Sequence, residues 1–114
     1  MKIFQVPLRV VFYQEEGRWV AHCLEFDLCG DGDTRQAAVT SLLESIKLQV
    51  AETIEHDNPA NLFSPAPGEI QEKFFAGKKA TIGELHLRIE SLDHIIFEGP
   101  EFREYSDEPG LALI

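Results

Sequence analysis

Positive charge is scarce in this sequence. Ten lysines and arginines stand against 20 aspartates and glutamates, a formal net charge of -10 over 114 residues. A field of that sign repels phosphate backbones and attracts basic proteins, which disfavours direct binding of nucleic acid. The same charge could equally serve only to keep the domain soluble. Cysteine is nearly absent as well. Cys23 and Cys29 are too few for a disulfide framework or for a four-ligand zinc site. No run reaches the roughly 20 apolar residues that a membrane-spanning helix needs. Pro7 and Arg9 interrupt the first apolar run before a secretion signal could form. The expectation is a cytoplasmic chain with free thiols, no metal, no cofactor and no membrane contact.

What is present suffices for one globular domain. Apolar residues make up 44% of the chain, and a chain of this length buries roughly two-thirds of the surface its unfolded form exposes. Residues 1–105 read as a single domain, with an irregular insert over 57–80 and a tail over 106–114. Phe4, Val6, Leu8, Val10 and Phe12 alternate with a mixed second face, the period of a strand. Pro7 within it predicts an edge strand or a bulge. Glu15, Glu16 and Gly17 supply a turn, with Gly17 suited to positive φ. A second strand runs through Trp19 to Cys23, and a short third lies near Leu28 to Gly30. The glycine-rich third strand predicts close approach of another backbone or a partner.

Asp33 or Thr34 then offers an N-cap, with Gln36 completing a capping box if Asp33 is the cap. Val39, Leu42, Leu43, Ile46, Val50 and Ile54 recur at helical spacing, so a helix is predicted to about Glu55, ended by Asn58-Pro59. Glu69 to Phe75 predicts one or two helical turns with Ile70, Phe74 and Phe75 inward. Leu85, Leu87 and Ile89 alternate again as a strand, and His94 to Glu98 suggests a short further one. The fold class is therefore α+β: an antiparallel sheet with one long helix on a face, in the order β-β-β-α-β with extra C-terminal elements.

Gly17, Trp19 and Ala21, then Glu25, then Gly32-Asp33-Thr34, then Ala37-Ala38 stand in the order and spacing of the HicB-like antitoxin domains, and about the first half of the chain resembles that family. The resemblance implies a partial ribonuclease-H-like βββαβ fold. It also implies an antitoxin role: neutralising a small basic mRNA-cleaving toxin (HicA-like) by protein–protein contact, a pairing that opposite charge would assist. Two-domain members of the family carry a C-terminal DNA-binding module, and no basic module of that kind follows residue 90 here.

Glu25, Asp27, Asp31 and Asp33 form the densest acidic cluster. Two-metal nuclease chemistry needs carboxylates converging from separate elements, whereas these crowd one segment. They read as a partner-facing rim or as an inert solvated loop. Glu25, Asp27, Asp31 and Trp19 are the candidate partner-binding residues. Trp19 could be either an interface anchor or core. His22 and Cys23 point to opposite faces of a strand and cannot pair as base and nucleophile, and no orienting acid stands at a fixed spacing from His22. His86 and His94 form no metal motif. Catalysis is not expected. The alternatives are a solitary HicB-like domain binding another protein or a small molecule and, further off, a ribonuclease-H-like nuclease. Self-association is left open.

Overall fold

The computed structural model describes residues 4–56, 64–80 and 95–106. The alternating N-terminal segment forms β1 (Phe4–Glu15), which turns back into β2 (Arg18–Cys23). The turn is Glu16-Gly17, with φ of 53° and 79°. Positive φ at both central residues gives the turn the twist that two hydrogen-bonded strands need. It fixes the register at Glu15 opposite Arg18 through to Val10 opposite Cys23. β3 (Leu28–Gly32) continues the antiparallel run. Next come α1 (Arg35–Glu55), α2 (Gly68–Ala76), β4 (Lys78–Lys79) and β5 (Ile95–Glu104). The strand order is β3-β2-β1-β5-β4.

The long helix packs on a sheet as expected, but the sheet is mixed rather than antiparallel. β1 and β5 are parallel, while the other neighbours are antiparallel. The strand that follows α1 and α2 is β4, which runs against β5, so β5 takes the direction of β1 and β3. The strand expected at Leu85–Ile89 lies outside the described residues, as do His86 and His94. The one expected at His94–Glu98 is the start of β5, which continues to Glu104.

Pro7 lies in the central strand, so the edge-strand alternative fails and the bulge alternative holds. The β1–β5 register shifts between Pro7 and Arg9. Gly99 and Pro100 there stand opposite the single Leu8. Gly99 takes φ 52°, the left-handed conformation that lets a bulge form without a Cβ clash. The strand expected only to Glu98 thus runs on through the Gly-Pro pair to Glu104.

Thr34 caps α1, its Oγ1 accepting from the Ala37 N–H at 3.0 Å. The capping box through Asp33 does not form, because Asp33 turns to Arg18 instead. The buried stripe of α1 is Ala38, Val39, Leu42, Leu43, Ile46, Val50 and Thr53. Ile54, expected in it, is 42% exposed. A stripe centred on Leu42 and Ile46 leaves Ile54 on its margin and brings Thr53 inward. The glycines of β3 explain how closely α1 sits. A Cβ at Gly30 would meet the Leu42 N and Ala38 O backbone atoms, and one at Gly32 would lie 2.5 Å from the Ala37 Cβ. The backbone approach predicted for β3 is therefore made by the protein's own helix.

Two apolar clusters sandwich the sheet. Val6, Leu8, Val10, Phe12, Ala21 and Cys23 meet α1 on one face, joined by Phe97 and Phe102 of β5. On the other face, Val11 and Leu24 meet Ala66 and, from α2, Ile70 and Phe74. The 57–80 segment is therefore not irregular throughout. Ser64 and Ala66 donate to the Glu25 and Leu24 carbonyls, α2 follows, and Lys78–Lys79 pairs with β5. Phe75, expected inward, is 60% exposed. It directly follows the buried Phe74, and adjacent helix positions diverge by about 100°.

Candidate partner-binding face

The face opposite α1 divides in two. Over β1 and β5 it is closed by the 64–66 segment and α2, with Lys73 Nζ 5.3 Å from the Tyr13 ring centroid and 4.7 Å from that of Tyr105. Over β2 and β3 it carries polar side chains. The hairpin register places His22 opposite Val11, with Tyr13 diagonal to it on the same face and Cys29 its cross-strand neighbour on β3.

The His22 ring is held at both nitrogens. Its Nε2 lies 2.8 Å from Asp27 Oδ1 and its Nδ1 3.1 Å from the Tyr13 hydroxyl. A carboxylate only accepts, so Nε2–H donates to Asp27 and, in the neutral ring, Nδ1 accepts from the Tyr13 O–H. Asp27 reaches this position from a left-handed backbone with φ 51°, a conformation that aspartate tolerates better than most residues. An orienting acid is thus present. It was missed because nothing in the spacing of His22 and Asp27 shows the β2–β3 turn closing on itself. The Tyr13–His22 contact was legible in principle: a two-residue turn at Glu16-Gly17 fixes the register and hence the diagonal pair.

This chain fixes the ring and closes the turn, and both nitrogens are engaged by groups of the protein itself. The neighbouring acids are also ill suited to nucleophilic work. Burial, then the charges of Cys29 and Glu15, pushes the Tyr13 phenol up to about 12. Burial, then the charges of Asp27 and Asp31, raises the Cys29 thiol. A reactive thiol needs the opposite surroundings. Cys23 lies in the α1-side core, its thiol lifted by burial to about 12. The separation of His22 and Cys23 onto opposite faces is as expected. Among the described residues, no group of three or more His, Cys, Asp or Glu is placed to hold a metal ion.

The four candidate residues do not form one patch. Asp27 and Asp31 are exposed on the β2–β3 half of this face, their side chains 37% and 61% accessible. Arg18 bridges Asp31 and Asp33, at 2.9 Å to each. Glu25 is spent internally. Its Oε1 accepts from the Arg9 backbone N–H at 2.8 Å and its Oε2 from Arg9 Nε at 2.7 Å, leaving the side chain 8% exposed. That bond occupies the flank of β1 just past the end of β2. Trp19 lies on the other face, packed against the α1-side core, with the Arg35 guanidinium 5.9 Å from its ring centroid. Arg35 in turn bonds Glu104 of β5 at 2.8 Å.

No family model, no curated protein and no solved structure matches the chain. No helix among the described residues is long and apolar enough to cross a membrane. Fold and site together define an α+β domain whose mixed sheet is closed on one face by a long helix and carries on the other an acidic half-face that no described element covers.

Proposed function

We propose that this domain is a binding module rather than an enzyme. In this reading it is a HicB-like, antitoxin-type protein that neutralises a small basic mRNA-cleaving toxin by direct contact in the cytoplasm. The observation that carries the reading is the half-face over β2 and β3, uncovered among the described residues, where Asp27, Asp31 and Asp33 stand exposed on a chain of net charge -10. Charge of that kind steers a basic partner and sets the encounter rate more than the lifetime of the complex. Support also comes from the clasped His22 and the two raised acids, which suit a fixed surface better than a reacting one. Glu25 drops out of the steering rim, since its side chain is 8% exposed and held by Arg9, whereas Asp31 and Asp33 stay exposed although Arg18 bridges them.

Co-expression with the product of an adjacent basic reading frame tests this directly. Co-purification, with relief of that product's growth arrest, is expected. The association rate should fall as salt rises, because screening acts over about 8 Å at physiological ionic strength, and fall further in an Asp27→Asn, Asp31→Asn variant. A basic neighbour that neither co-purifies nor is neutralised would overturn the proposal.

A further inference from the structure

The sheet has two edges, and they are treated differently. β4 consists of two exposed lysines, Lys78 and Lys79. A short edge carrying lysine is a recognised defence against unwanted strand pairing. β3 at the opposite edge has neither lysine nor proline: its sequence is Leu28-Cys29-Gly30-Asp31-Gly32, and among the described residues no strand lies beyond it.

The ladder shows which backbone groups that edge presents. The Leu24 N–H donates to the Arg9 carbonyl, so Val10 and Cys23 form a non-hydrogen-bonded pair, and the alternation continues across β2. Ala21 and Gly30 then bond to each other, whereas Cys29 and Asp31 turn their N–H and C=O outward. The two sides of an added strand would meet different surroundings. On one lies α1, which contacts Gly30 around Ser41 and Leu42. Leu48, three turns on from Ala37 and hence on the same flank, is 72% exposed. On the other side lie Asp31 and Asp27.

We propose that the outer edge of β3 is a strand-addition site for an extended segment of a basic partner protein, with basic side chains at alternate positions facing the Asp27–Asp31 side and apolar ones between them facing α1. This rests on the binding-module reading above and names the surface it uses. Backbone bonds from Cys29 and Asp31 would supply the register, and the alternating pockets the specificity.

The test uses the full chain, isotope-labelled for amide exchange, with a blocked peptide of alternating lysine and valine as the probe. Exchange at the Cys29 and Asp31 amides should slow by roughly tenfold or more on saturation, while the Gly30 amide, already paired with β2, changes little. The same peptide N-methylated along one bonding edge, and a glutamate–valine counterpart, should both fail to bind. Cys29→Pro removes an outward N–H without touching the β2 ladder and should abolish the protection. Unchanged exchange at Cys29 and Asp31, or equal binding of the N-methylated peptide, overturns the proposal. The two readings separate cleanly. A basic partner that co-purifies equally with a folded Cys29→Pro chain removes the edge site and leaves the binding module. Peptide pairing at β3 in a chain that no basic partner accompanies keeps the edge and removes the toxin assignment.

Discussion

On its α1 side the sheet offers Val6, Leu8, Val10, Phe12, Ala21 and Cys23, all of them buried, to a helix that answers with Val39, Leu42, Ile46 and Val50. On its other side the same strands offer Val11 to a small second core, but also Arg9, Tyr13, His22, Cys29 and Asp31 to ion pairs, ring contacts and solvent. The first face is closed by shape, with each buried aliphatic side chain contributing about 1.5–3 kcal/mol. The second is held by directional bonds, which add less net stability and leave surface available. The difference separates what holds the domain together from what it can show to a partner.

The comparison is broken most severely at Gly30. An added Cβ would run into backbone atoms of α1, 2.6 Å from the Ala38 carbonyl oxygen among them, and a backbone cannot step aside as a side-chain tip can. Gly30→Ala should cost about 3 kcal/mol, the upper end for overpacking, and urea melts should show it. A loss no larger than that of exposed Lys47→Ala would mean that α1 does not sit on β3 as described.

On the polar face the largest expected effect is at Glu25. Glu25→Gln leaves the Arg9 guanidinium without its carboxylate partner. Bonds to charged groups contribute about 1.5–3 kcal/mol, so a loss near 2 kcal/mol is expected in the same melts. The double variant with Arg9→Gln should lose less than the sum of the singles. Strict additivity would show that the two side chains act independently.

Alkaline pH sharpens the contrast by acting on one acid from each face, Cys23 buried and Tyr13 half-buried. Burial lifts the Cys23 thiol from 9.0 to about 12 and the Tyr13 phenol from 10.0 to about 12. Each raised group stabilises the fold fully below its unfolded value, and that stability is lost as pH rises from 9.0 to about 12. Stability should therefore be level through neutral pH and decline above 9.0. Cys23→Ala should reduce the decline most, and Cys29→Ser, whose less buried thiol is also raised, should reduce it less. Thiol titration at mildly alkaline pH should show Cys29 reacting more slowly than a free cysteine, and Cys23 only after unfolding.

The smallest effect lies in the hairpin turn. Glu16 holds φ 53°, where asparagine is several-fold favoured over an ordinary side chain. Glu16→Asn should stabilise by about 0.5–1 kcal/mol. A loss of stability would imply that the Glu16 carboxylate makes a contact the turn geometry does not reveal.

Much of the α1 face was legible in the sequence because its signals are local. Alternation in β1, the Thr34 cap and the helical spacing from Val39 to Val50 each depend on neighbours a few residues away. The glycines of β3 also announced a close approach, although their spacing could not say whether helix or partner would make it. The polar face was legible only in part. Asp27 and Asp31 emerge exposed, whereas Glu25 looks the same in sequence and is consumed by Arg9, sixteen residues away. Trp19 shares the segment but lies on the opposite face, a consequence of strand parity.

By itself, then, the sequence determined the hairpin, the helix with its buried stripe, the acidic balance and the scarcity of thiols, all carried by nearest-neighbour periodicity and composition. Tertiary structure alone decided that β5 runs parallel to β1, that Gly99-Pro100 forms a bulge within it, that Asp27 turns back to clasp His22, and that among the described residues β3 and β4 are the two edges. Each of these is set by pairing between segments far apart in the chain, where the free energy lies in the closed ladder and no single stretch of residues carries its signal.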